Sequence, residues 1–124
     1  MKTLLIVIAL VEVAAGFVLA AAPSLLISLL LGSPLDTPSE SVVGRLAGIA
    51  LMTMGLFCWL LRNNPQQGRS PAPPVVAMLF YNAGAVTLLV YAHLGLGLSG
   101  IGLWPAVAAH AALALWCIAY LRTA

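Results

Sequence analysis

Four long stretches of apolar residues alternate with short polar segments along the chain. A bilayer core of ~30 Å requires about 20 apolar residues in a helix, and each stretch is long enough to cross it. The predicted spans are about 3–22, 41–61, 75–95 and 102–121. The sequence therefore predicts an all-α integral membrane protein, a bundle of four transmembrane helices that forms one domain over residues 1–124.

A shorter apolar segment follows the first span, from Pro23 to Gly32. Proline in a first helical turn and glycine just past a last turn are typical helix boundaries. The segment is too short to cross the bilayer. Two interpretations remain open: an interfacial helix that covers the outer end of the bundle, or an extension of the first span beyond a proline kink. The predicted fold includes the interfacial helix.

The first span also resembles a secretory signal peptide, because Lys2 precedes an apolar run that ends in three alanines before Pro23. Its apolar run is longer than the core of a signal peptide, and Glu12 interrupts its centre. The sequence therefore predicts that this segment is retained as a membrane span.

Composition supports a membrane location and excludes several other classes. Hydrophobic residues make up 63% of the chain and charged residues 6%, whereas soluble domains contain about 25% charged residues. The net charge is +2, and no basic stripe indicates a nucleic-acid partner. Cys58 and Cys117 lie in apolar runs on the predicted cytoplasmic side, where thiols stay reduced, so no disulfide is expected.

The basic residues in the loops and at the ends all fall on one side of a four-span topology. They are Lys2, Arg62, Arg69 and Arg122. The positive-inside rule places both termini and the 62–74 loop in the cytoplasm, and the predicted location is a bacterial inner membrane. The prolines of that loop predict a flexible linker.

Each span carries a polar residue at a depth where hydrocarbon makes it costly: Glu12, Arg45, Asn82 and His110. Glu12 lies at the centre of the first span, where it is expected to be protonated or paired with a cation. Arg45 is the predicted partner, because its helix face carries two glycines that allow close approach. The alternative is that Arg45 extends outward to the lipid headgroups.

Together these residues predict a polar pocket inside the bundle. Glu12 and His110 are the predicted catalytic acid and base. Arg45, Asn82, His93 and Trp104 are the predicted ligand-binding residues. Asn82 and His93 share one face of the third span, and the alternative for Asn82 is a hydrogen bond that only holds helices together. No metal is expected, because Glu12, His93 and His110 lack the close spacing of helical metal motifs, and no cofactor motif is present.

A glutamate and a histidine in a dry cavity suit isomerisation, hydration or ring opening of a small lipophilic molecule, and they suit binding without chemistry equally well. The predicted partners are therefore the lipid bilayer and a lipophilic ligand, and a homo-oligomer is possible. Two further functions stay open. One is a proton-coupled exporter that uses Glu12, and the other is a structural subunit of a membrane complex.

The chain resembles the DoxX-like group of small bacterial four-helix membrane proteins over most of its length. The resemblance is carried by Glu12 and Gly16, the Pro23–Gly32 segment, the Gly44-Arg45-Leu46-Ala47-Gly48 sequence and His110. It implies the four-helix fold and a membrane location rather than a particular activity.

The segment Ala9–Val13 is similar to the glutamate segment of the small multidrug resistance family. In those four-span transporters, the glutamate exchanges protons for cationic drugs in a dimer. This chain departs from the family in its proline-led short helix, its one-sided charge and Arg45 at a similar depth to Glu12. Because an arginine would oppose a cationic substrate, the sequence disfavours this second family.

Overall fold

The computed structural model describes residues 1–63 and 72–123, and these residues form five helices and no strand. The helices are α1 (Lys2–Ala21), α2 (Pro23–Leu31), α3 (Pro38–Leu61), α4 (Pro73–Leu96) and α5 (Leu103–Thr123). All except α2 are long and apolar enough to cross a membrane. The chain is a multi-pass membrane protein, and the predicted all-α four-helix bundle is confirmed. Most of the predicted 62–74 linker, with Arg69, lies outside the described residues.

The backbone breaks at Ala22, which separates α2 from α1. Ala22 has φ −137° and ψ 68°, outside the helical region, and Pro23 then starts the new helix. The helix ends at Gly32, whose φ of 74° favours a residue without a side chain. The segment after the first span is therefore a separate short helix, and the interpretation as an extension of α1 is wrong.

Backbone hydrogen bonds attach the end of α2 to the connection between α4 and α5. Gly100 N donates to Leu30 O at 3.0 Å, and Gly102 N donates to Leu29 O at 2.8 Å. A methyl group at Gly100 would overlap the carbonyl group of Leu29, so only glycine allows this approach. These bonds satisfy carbonyl groups that the end of a helix leaves without partners, and they hold α2 across the end of the bundle that lies away from the termini.

Helices α1 and α3 form the closest packed pair of the bundle. Gly16 of α1 and Gly48 of α3 face each other, and a methyl group on either would overlap the carbonyl oxygen of the other. Gly55, about two turns after Gly48 along α3, meets α1 in the same way, against the carbonyl oxygen of Ala9. Such contacts between small residues are the usual basis of tight helix association in lipid.

The packed core lies at the end of the bundle that holds both termini. Its buried members come from all four long helices, together with Ala72 just before α4: Leu4, Leu5, Ile8, Ala9, Cys58, Ala72, Val75, Met78, Leu113 and Cys117. Towards the other end, α4 packs against α5, but α3 and α4 hardly touch within the described residues. The bundle is therefore closed at one end and hollow between its two helix pairs at the other.

Candidate ligand-binding cavity

A cavity of about 770 Å³ occupies the hollow part of the bundle. Every helix contributes to its wall, and most of the wall is apolar. The lining residues are Val11, Glu12, Ala15, Leu26, Leu30, Leu51, Met54, Ala77, Phe80, Tyr81, Gly84, Ala85, Leu88, Leu89, Ala106, Ala109 and His110. Its volume lies within the ~300–1,000 Å³ typical of small-molecule sites. The side chain of Phe80, which is 84% exposed, stands on the α4 side of the cavity, where the bundle faces lipid.

Glu12 reaches the cavity from the tightly packed side of the bundle. It lies between Ala9 and Gly16 on the face of α1 that meets α3, and only 1% of its surface is exposed. Within the described residues, its Oε1 atom has no hydrogen-bond partner. A buried polar atom without a partner is costly, by about 1–3 kcal/mol, and such atoms concentrate at functional sites. Glu12 is therefore the polar centre of the cavity wall.

His110 reaches the cavity from α5 and is held by Asn82 of α4. The two side chains meet at 2.9 Å between His110 Nδ1 and Asn82 Oδ1. Asn82 is fully buried, and its Nδ2 donates to Met78 O at 2.7 Å. Because that carbonyl can only accept, the amide is oriented with Oδ1 towards the ring. His110 Nδ1 must then donate, which leaves Nε2 as the nitrogen with a lone pair in the neutral ring.

Tyr81 is the site residue that the sequence did not predict. Its hydroxyl group lies beside the Glu12 carboxyl group and interacts with it. Its ring meets the ring of His110 edge to face, with 5.7 Å between centroids and 80° between planes. The available signal was a tyrosine near mid-span rather than at a span end, one helical turn from Ala77 and from Ala85. Both alanines line the same cavity.

Arg45 was predicted to pair with Glu12, and the structure places it elsewhere. Its Nη1 atom donates to Ala20 O at 2.6 Å and to Ala21 O at 3.2 Å. These carbonyl groups end α1, where the helix dipole favours a positive charge. Arg45 therefore caps α1 from α3 instead of compensating Glu12, and it is absent from the cavity wall.

Of the other predicted ligand-binding residues, none lines the cavity. Asn82 lies behind His110. His93 and Trp104 lie near the end of α4 and the start of α5, and their rings meet edge to face, with 5.2 Å between centroids. His93 Nδ1 also donates to Leu98 O at 3.3 Å. The structure thus brings together Glu12 and His110, adds Tyr81, and separates His93 and Trp104 from them.

The residues at the site determine which chemistry it can support. In residues 1–63 and 72–123, no three histidine, cysteine, aspartate or glutamate side chains lie close enough to share a metal ion. The polar groups of the wall are one carboxyl, one imidazole and one phenol. They can exchange protons with a ligand or form hydrogen bonds to it.

No protein-family model matches the chain, and neither a curated protein nor a solved structure matches it.

Proposed function

We propose that this chain binds a small lipophilic molecule inside the membrane and holds its polar group at Glu12 and His110. The observation that carries the proposal is the buried Glu12 carboxyl group, which has one oxygen without a partner among the described residues and belongs to the wall of a large apolar cavity. Lipid does not tolerate such a group well. A bound molecule with one polar group would supply the missing hydrogen bond and fill the apolar space.

The access route favours a ligand that dissolves in lipid. The cavity wall includes two side chains of α4 that are largely exposed, Phe80 at 84% and Leu88 at 66%. The cavity therefore reaches the surface of the bundle that faces the bilayer. The opposite end of the cavity is covered by α2, through Leu26 and Leu30. A molecule that partitions into the membrane can therefore reach Glu12 without crossing the packed core.

Acid–base conversion of the bound molecule is the catalytic form of this proposal. Glu12 of α1 and His110 of α5 line one cavity, as a proton donor and acceptor that act on one substrate would require. The fixed orientation of His110 by Asn82 supports this role, because a general base must present one defined nitrogen. Isomerisation or hydration of a lipophilic substrate suits the pair.

A proton-coupled exporter is the second candidate, and the position of Arg45 removes the main objection to it. The sequence opposed this function because an arginine at the depth of Glu12 would repel a cationic substrate. The guanidinium group instead binds the end of α1, so that objection loses its basis. Binding of tetraphenylphosphonium with release of one proton in the wild type, but not in Glu12→Gln, supports the exporter over the neutral-ligand protein.

The topology forms part of the same proposal. We infer that both termini lie in the cytoplasm of a bacterial inner membrane. The one-sided placement of Lys2, Arg62 and Arg122 supports this orientation, and Asp36 and Glu40 lie at the other end, around the start of α3. Thiol labelling of single-cysteine variants at exposed loop positions in spheroplasts tests it.

Two variants of α5 and one of α1 test the binding function. The chain is purified in lipid nanodiscs, and the small molecules that it retains are identified by mass spectrometry. Ala109→Trp places an indole beside His110 at a position that lines the cavity, and Ala112→Trp places the same group at an exposed position of the same helix that does not line it. We expect Ala109→Trp and Glu12→Gln to retain at least about tenfold less of this molecule than the wild type. Ala112→Trp should retain as much as the wild type. Equal retention by all four proteins would contradict the proposal.

A further inference from the structure

We infer that the cavity selects a lipophilic molecule whose polar group donates hydrogen bonds, as a hydroxyl or ammonium group does, and rejects molecules with an anionic head group. This inference rests on the proposed binding function and adds the chemical class of the ligand. It follows from the polar atoms that the cavity wall presents and from those that it lacks.

The first acceptor is His110. Its Nδ1 atom is occupied by Asn82 at 2.9 Å, and Asn82 in turn donates to the Met78 carbonyl group. This chain of two bonds forces Nδ1 to donate, so Nε2 of the neutral ring can only accept. His110 lines the cavity, and the nitrogen left for a ligand is therefore an acceptor.

The second acceptor is Glu12. Its Oε1 atom is buried and has no partner among the described residues. As a carboxylate, Glu12 can only accept hydrogen bonds through this oxygen, and as a carboxylic acid it can donate one to a hydroxyl group that in turn donates to His110. The Tyr81 hydroxyl group interacts with this same carboxyl group, so the phenolic proton is directed to Glu12 rather than to a ligand.

The described wall offers little that would hold an anion. None of its residues is lysine or arginine, and Arg45 is bonded to the carbonyl groups of Ala20 and Ala21. The backbone N–H groups of the lining helices are used inside those helices. A carboxylate or phosphate in this cavity would therefore stand unpaired beside Glu12, which is strongly unfavourable away from water.

A matched series of probes tests the class of the polar group. 1-Decanol, decylammonium, decanoate and decane share a ten-carbon chain and differ at one end. Each is titrated into nanodiscs that contain the wild type, and binding is read from the rise in the unfolding midpoint. Every value is corrected for partition into empty nanodiscs at pH 7. Ala109→Trp serves as the protein with an obstructed cavity, and Ala112→Trp as its control.

We expect 1-decanol or decylammonium to bind at least about tenfold more tightly than decane and decanoate. The preference should disappear in Glu12→Leu, while decane binding remains. The stronger of the two favoured probes identifies the head group as neutral or cationic. In protein with ¹⁵N-labelled histidine, the favoured probe should shift the Nε2 signal of His110 and leave its Nδ1 signal nearly unchanged.

Decanoate binding as tightly as the stronger of 1-decanol and decylammonium would overturn the inference while leaving the proposed function intact. Decane binding as tightly as that probe would overturn both, because the proposed function places a polar group at Glu12 and His110. A separate result would overturn the inference and the proposed function together. In that case no probe would bind the wild type more tightly than it binds Ala109→Trp.

Discussion

The two helix pairs of the bundle are held together by different interactions. Between α1 and α3, glycines bring backbone against backbone at Gly16, Gly48 and Gly55. Between α4 and α5, side chains make the contacts: His110 bonds to Asn82, and each of the two histidines meets an aromatic ring across the pair. The first pair is defined by shape and the second by polar and aromatic side chains.

This difference shows how a small bundle can hold a polar site in lipid. Glu12 belongs to the closely packed first pair, on the face of α1 that meets α3. His110 and Tyr81 belong to the second pair and line the same cavity, and the Tyr81 hydroxyl group lies beside the Glu12 carboxyl group. Backbone packing thus positions Glu12, whereas a hydrogen bond to Asn82 orients His110.

The strongest test of the first pair compares two glycines. We expect Gly48→Ala to lower the free energy of unfolding by about 1–3 kcal/mol, because the new methyl group would overlap backbone atoms of Gly16 and Ala20. Gly84 lies on α4, where a methyl group would meet no atom within 4 Å, so Gly84→Ala should be neutral or stabilising by up to about 1 kcal/mol. Reversible unfolding in mixed micelles, followed by circular dichroism, measures both. Equal effects would show that the glycine contacts do not define the pair.

The second pair is tested at Asn82. Asn82→Leu leaves His110 Nδ1 without its partner, and we expect a loss of about 1 kcal/mol in the same assay. The control is Thr87→Val, because Thr87 bonds to Ala83 O in its own helix and the loss of this bond should change stability little. Nitrogen NMR of His110 should also show that both ring tautomers become populated in Asn82→Leu. If His110 kept a single tautomer in Asn82→Leu, the result would show that Asn82 does not determine which ring nitrogen carries the proton.

The smallest expected effect concerns the hydrogen bonds from the Arg45 side chain of α3 to the last carbonyl groups of α1. Arg45→Met keeps most of the apolar stem but removes the donors to Ala20 O and Ala21 O. Because this arginine is exposed, we expect a loss of only about 0.5–1 kcal/mol, in the range for charges at helix ends. Arg45→Lys should recover part of it, and ligand binding should stay within about twofold of the wild type. A loss of ligand binding as large as that of Glu12→Gln would show that Arg45 takes part in the binding site.

Sequence alone predicts well how deep each polar residue lies in the membrane, but it predicts poorly which neighbouring helix its side chain faces. Glu12 and His110 were expected near mid-membrane on a shared pocket, and the structure places both on one cavity wall. Depth follows from counting residues along a helix that must match the bilayer. The four helices and the separate α2 follow from the same count and from Pro23 and Gly32.

The direction of a side chain depends on how its helix is rotated about its own axis relative to its neighbours. This rotation cannot be obtained by counting residues along the sequence. Arg45 lies at a depth from which it could reach Glu12, yet the contact of Gly48 with Gly16 and Ala20 brings it to the end of α1. Tyr81 is next to Asn82 in sequence, and this adjacency predicts that the two face different ways. In the structure, both residues serve the site, Asn82 from behind His110 and Tyr81 from the cavity side.

The attachment of α2 has a consequence for how the protein is made. The carbonyl groups of Leu29 and Leu30 receive their partners from Gly102 and Gly100, which the ribosome adds about 70 residues later. Until residues 100–102 have been made, the carbonyl groups of Leu29 and Leu30 cannot form these bonds. The attachment of α2, which covers one end of the cavity through Leu26 and Leu30, therefore belongs to the late steps of biosynthesis.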